Sequence, residues 1–124
     1  MAKRVLVVED NDLNRKLFCD VLKAHGFEVR PVEDGSQVLP AAKEFAPDLV
    51  IMDIQLPNVS GLDVIAALKR EDGLSAIPIL AVTAYAGKGD EERIRGAGAR
   101  DYLAKPVSIV PFMGAVNRLF EEAV

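Results

Sequence analysis

Short, wholly apolar runs alternate along the chain with longer stretches in which apolar residues recur every three or four positions. Val5-Leu6-Val7-Val8, Leu49-Val50-Ile51-Met52 and Ile79-Leu80-Ala81-Val82 are of the first kind, and they predict strands buried on both faces. A weaker run near Val29–Val32 contains Pro31, which cannot donate to a ladder, so this strand is expected at a sheet edge. Asp101-Tyr102-Leu103-Ala104 is a short fifth strand.

The periodic stretches predict five helices. In the first, Leu13, Leu17, Phe18, Val21 and Leu22 form one apolar stripe, with Asn11 or Asp12 as cap and Gly26 as stop. The second follows Asp34-Gly35-Ser36 and carries Val38, Leu39, Ala42 and Phe45; Pro40 predicts that it starts late or bends. Ser60, with Asp63 at capping-box spacing, opens the third, with Val64, Ile65 and Leu68 inward and an end near Gly73. The fourth, roughly Lys88 to Ala97, is flanked by glycines and has one large apolar residue, Ile94, so it should be loosely held. Ser108 caps the last helix, whose Phe112, Val116, Leu119 and Phe120 face the core.

Strands beginning near residues 4, 28, 48, 78 and 101 give five strand–helix units without linker or internal repeat. The expectation is one α/β domain over residues 1–124: a five-stranded parallel sheet, order 2-1-3-4-5, doubly wound with five helices. A length of 124 residues suits one domain. Net charge of −4 argues against a sequence-independent grip on nucleic acid. No apolar run is long enough to span a bilayer, and the first residues lack a signal-peptide pattern. One cysteine, Cys19, excludes an internal disulfide and fits a cytoplasmic setting; it reads as a small helix residue.

The strand ends carry the chemistry. Glu9 and Asp10, Asp53, Thr83 and Lys105 follow the first, third, fourth and fifth strands, so a parallel sheet brings them to one crevice. Alone, Asp53 reads equally well as a turn cap before Pro57; a Lys105 that is only a counter-charge for the acids leaves unexplained why the hydroxyl and all three acids share one edge. Three clustered carboxylates repel unless a cation joins them, and a hard ion such as Mg²⁺ suits oxygen ligands. The absence of His or Cys at these positions argues against zinc. A carboxylate beside a metal and a lysine is placed to attack a phosphoryl group.

Glu9-Asp10, Asp53 within Met-Asp-Ile-Gln-Leu-Pro, Thr83-Ala84, and Tyr102 followed by Lys105-Pro106 resemble the receiver domain of two-component response regulators, a CheY-like fold, over essentially the whole chain. Glu-Asp-Asn-Asp-Leu-Asn at 9–14 and Lys-Gly-Asp-Glu-Glu-Arg-Ile-Arg at 88–95 are similar to the DivK-type cell-cycle regulators of alphaproteobacteria, receivers without an output domain. The resemblance implies that Asp53 accepts phosphate from a histidine kinase or a phosphotransfer protein. Glu9, Asp10, Asp53 and the Gln55 backbone carbonyl would hold Mg²⁺, with Mn²⁺ an alternative. Thr83 and Lys105 would read the phosphoryl oxygens, Tyr102 would be the aromatic switch, and the Lys105-Pro106 bond would be cis.

It further implies signalling by binding sensor kinases, phosphatases or pseudokinases through the face near Lys88–Ala97, Asp101–Ala104 and the last helix. The expected state is a monomer or weak dimer, recruited to the cell pole by partners, catalysing only its own phosphorylation and dephosphorylation. Gln55 and Tyr85 flank the path of an attacking water, and Tyr85 would slow loss of the phosphate. Pro40 departs from the family pattern away from the site. A dehalogenase-type phosphatase is disfavoured because Gln55 stands where its second acid belongs. A scaffold that has lost phosphorylation is disfavoured because no acid is missing, and FMN phosphate would be repelled by Glu9-Asp10-Asn11.

Overall fold

The computed structural model describes residues 2–84 and 87–122. Five strands, β1 (Arg4–Val8), β2 (Glu28–Val32), β3 (Leu49–Asp53), β4 (Ile79–Thr83) and β5 (Asp101–Ala104), form one parallel sheet in the order β2-β1-β3-β4-β5. Helices α1 (Asp12–Ala24), α2 (Val38–Phe45), α3 (Gly61–Arg70), α4 (Lys88–Ala97) and α5 (Ile109–Glu122) join them. Every residue of β3 and β4 is buried, and β2 lies at an edge with Pro31 opposite Val7.

Strand side chains alternate between two cores. Leu6, Val8, Val50, Met52, Ile79 and Ala81 pack with Val38, Ala42, Val64, Ile65, Leu68 and Ile94, which puts α2, α3 and α4 on one face. Val5, Val7, Leu49, Ile51, Leu80 and Val82 pack with residues of α1 and α5 on the other.

The helix stops and starts follow local chemistry. Asn11 caps α1, its side chain accepting from the Asn14 N–H at 2.9 Å, and Gly26 after it takes φ +88°. A 3₁₀ turn at Gly35–Gln37 precedes α2, leaving Pro40 in the first turn, where its missing N–H would have had no partner within the helix. The helix therefore starts late, as Pro40 predicted. Ser60 caps α3 through the Leu62 N–H. Gly61 is required there, because a Cβ would fall 2.5 Å from the Asp53 carbonyl oxygen. This close approach sets the start of α3 against the end of β3.

The predicted α1 stripe needs correction. Phe18, Cys19 and Leu22 are buried, whereas Leu13 is 79% exposed and Leu17 also reaches solvent. The contact that orients α1 is a stack of Phe18 on Phe112 of α5, centroids 4.9 Å apart. At 100° per residue, Leu13 points nearly opposite to that face. In α5, Phe112, Val116 and Leu119 are buried; Phe120 is half-buried and stacks on Phe27 at 5.3 Å. Among the described side chains of α4, Ile94 is the large one that is buried, worth about 2 kcal/mol.

Candidate functional site

β1 and β3 are neighbours in register, with Val8 opposite Met52, so the residues that follow them emerge together. β4 pairs with β3 on its other side, with Val82 opposite Asp53. Glu9, Asp53 and Thr83 are all buried, a rare condition for two carboxylates unless they are paired. Carboxylate oxygens of Glu9, Asp10 and Asp53 lie within 4.8 Å of one another, Asp10 on the exposed side. Lys105 Nζ stands 3.2 Å from Asp53 Oδ2 and 3.2 Å from Glu9 Oε1. The Lys105-Pro106 peptide is cis. The five groups expected at one rim are there.

The charges do not balance. Burial first, and then the Glu9 carboxylate, push the Asp53 carboxyl up to about 6, against the pull of the Gln55 N–H and Lys105. Burial works to lower Lys105, but Asp53 and Glu9 outweigh it and hold the ammonium above its ordinary value. Asp53 Oδ1 accepts from the Gln55 N–H at 2.9 Å, and Glu9 Oε2 accepts from the Asn11 N–H at 3.2 Å. Glu9 Oε1 is buried without a hydrogen bond, touching Lys105 only as an ion pair. An orphaned buried oxygen beside two further carboxylates is a donor set short of one cation. All the donors are oxygens, which fits Mg²⁺ or Mn²⁺ and does not fit zinc.

Two contributors escaped the sequence reading. Arg15, on the first turns of α1, reaches back to donate to the backbone oxygens of Glu9 at 2.9 Å and Asp10 at 3.3 Å. It also pairs with Asp12 and Glu33, so one guanidinium fixes the loop that carries both acids. The second is the Gln55 side chain. Its Nε2 is 2.7 Å from Thr83 Oγ1 and its Oε1 accepts from the Ala84 N–H at 2.9 Å. Periodicity gives no signal for either contact: the Arg15 clamp is set by the local turn between β1 and α1, and the Gln55 bridge by the loops that the sheet order makes adjacent.

Tyr102 is half-buried on β5, packed at the edge of the core that holds Ile94. The Arg95 guanidinium of α4 lies over its ring at 5.5 Å and also reaches the Arg100 carbonyl and Asp101. Asp101 additionally pairs with Arg118 of α5. Polar contacts thus tie α4, β5 and α5 where apolar burial is thin. Tyr85 lies outside the described residues.

The response regulator receiver domain family matches residues 5–117. The chain is a response regulator receiver domain. It is 49% identical over 123 residues to the polar-differentiation response regulator DivK of Brucella anthropi, covering 99% of this chain and 100% of that protein. The DivK of Brucella ovis is 48% identical over the same length. Among solved structures, the receiver domain of a sensor histidine kinase from Pseudomonas aeruginosa has a magnesium ion coordinated in its active-site cleft. It is 32% identical with a TM-score of 0.87, over 96% of this chain and 98% of that one. The Vibrio cholerae chemotaxis regulator CheY4 superimposes with a TM-score of 0.91 over 96% of this chain and 99% of its own, at 24% identity, and shares the fold. This receiver is of the DivK type, and accepting phosphoryl groups as a signal is general to its family.

Proposed function

We propose that Asp53 of this receiver accepts a phosphoryl group from a phosphohistidine on a kinase or phosphotransfer protein. An Asp53 oxygen bonds to phosphorus as the phosphorus–nitrogen bond breaks, leaving the electron pair on the imidazole. The observation that carries this reading is the combination at one buried carboxylate: Lys105 on one oxygen, a backbone N–H on the other, and two further acids within 4.8 Å. The bound Mg²⁺ or Mn²⁺ would supply positive charge facing the transferred oxygens; Glu9, Asp10, Asp53 and the Gln55 backbone carbonyl would hold it. Lys105 steadies the same oxygens, and Thr83 donates its hydroxyl to one of them. Loss of the phosphoryl group to water at this site completes the self-catalysed cycle.

Phosphorylation would draw Thr83 inward, and Tyr102 and α4 would follow. A ligand shifts an equilibrium only through differential contacts, and Thr83 and Lys105 supply them. The Arg95–Tyr102 and Arg95–Asp101 contacts support a readout face built from α4, β5 and α5. Sensor kinases, phosphatases or pseudokinases bind that face, with the receiver acting as a monomer or weak dimer in the cytoplasm. The likeness to DivK, a regulator named for polar differentiation, supports a role in cell-cycle and polarity control with recruitment to the pole.

The test is incubation with acetyl phosphate and Mg²⁺ followed by intact-mass measurement. One added phosphoryl group is expected, abolished by Asp53→Asn and by chelation. Pull-down with and without beryllofluoride then identifies partners that depend on the modified state.

A further inference from the structure

The Gln55 carboxamide has a single consistent orientation. A backbone N–H can only donate, so the oxygen facing the Ala84 N–H is Oε1. The group facing Thr83 Oγ1 at 2.7 Å is therefore the amide nitrogen, and the hydroxyl is its acceptor. One side chain, two residues beyond Asp53, thus bridges from the loop after β3 to the residues that end β4.

A phosphoryl group on Asp53 brings three strong acceptor oxygens that need donors. Lys105 Nζ and the Gln55 N–H already touch Asp53. The next donors at the rim are the Thr83 hydroxyl and the Ala84 N–H; the Gln55 carboxamide takes the Ala84 N–H and holds Thr83 by donating to its oxygen. From these contacts we infer that the Gln55 side chain is a placeholder for the phosphoryl group. It occupies the Ala84 N–H donor and holds the Thr83 hydroxyl oxygen as its own acceptor in the unmodified protein, and it must release both before they turn to the modified aspartate. The inference rests on the phosphoryl-accepting reading of Asp53. In this arrangement Gln55 is a positioning residue that opposes the modified state, because each bridge contact made before modification is lost after it.

The experiment titrates beryllofluoride into the full chain at saturating Mg²⁺, following bound beryllofluoride by fluorine NMR, for wild type, Gln55→Ala, Gln55→Met and Asp53→Asn. Gln55→Met keeps the volume of the stem and removes both polar contacts, so it decides the matter where Gln55→Ala does not fold. Losing two ordinary hydrogen bonds from the unmodified state lowers half-saturation by about fivefold to a hundredfold in both variants. Unchanged or weaker binding, or tighter binding in only one folded variant, overturns the placeholder role. No saturable binding to wild type above Asp53→Asn overturns the phosphoryl-accepting reading instead. The two failures are therefore distinct.

Discussion

The two ends of the sheet carry similar numbers of charges and use them in opposite ways. At the amino end, the Arg4 backbone N–H takes Asp48, its side chain takes Glu28 and the Phe45 carbonyl, and the guanidinia of Arg4 and Arg30 flank the Phe45 ring. Acids there meet bases at the surface, and Arg4 and Glu28 remain about half exposed. At the carboxyl end, Glu9 and Asp53 are buried and share one ammonium. The amino end also holds a recess of about 500 Å³ lined by Ala2, Arg4, Glu28, Ala46 and Asp48. That hollow is at the end where charge is already balanced. Unmatched buried charge is what the proposed function draws on, with a cation and an incoming anion completing the site.

Removing the shared cation tests this contrast hardest. In metal-free protein at neutral pH, Lys105→Ala leaves Glu9 and Asp53 buried against each other, a loss of about 2–4 kcal/mol in urea unfolding. Divalent ion should return part of that loss. An unchanged midpoint would mean the acids are better solvated than their burial indicates.

Asp53→Asn has the opposite sign. It removes the carboxylate that burial and Glu9 disfavour, so the metal-free protein should gain about 2 kcal/mol at pH 7.5. Because folding raises this carboxyl to about 6 from an ordinary 3.8, the folded state binds the extra proton between those values. The wild-type penalty is therefore full above about pH 6 and fades toward pH 4. The gap between wild type and Asp53→Asn should close over that range, and a constant gap would refute the charge origin. Adding Mg²⁺ at neutral pH should narrow it too, by stabilising wild type more than the variant.

The amino end supplies the smallest effect. Glu28→Gln breaks an exposed pair and should change stability by no more than about 0.5 kcal/mol, with no change in the divalent response. A larger effect would erase the distinction between the two rims.

The strand order and the meeting of Glu9, Asp10, Asp53, Thr83 and Lys105 were legible in the sequence, because strands buried on both faces give unbroken apolar runs whose ends are marked by polar residues. The late start of α2 was legible from Pro40, since proline leaves few helix positions open to it. The inward face of α1 was not, because Leu13 and Leu17 satisfy helical spacing while the stack of Phe18 on Phe112 decides which side turns in. Nor was the Arg15 clamp visible, since it depends on the exact turn of the chain between β1 and α1, nor the Gln55 bridge, since it joins groups brought together only by the fold.

The most direct test of the unmatched carboxylate is intact-mass measurement of the chain after acetyl phosphate and Mg²⁺. Wild type is predicted to gain one phosphoryl group, lost on chelation, and Asp53→Asn to gain none. Equal phosphorylation of wild type and Asp53→Asn, or uptake that ignores the divalent ion, would contradict the account.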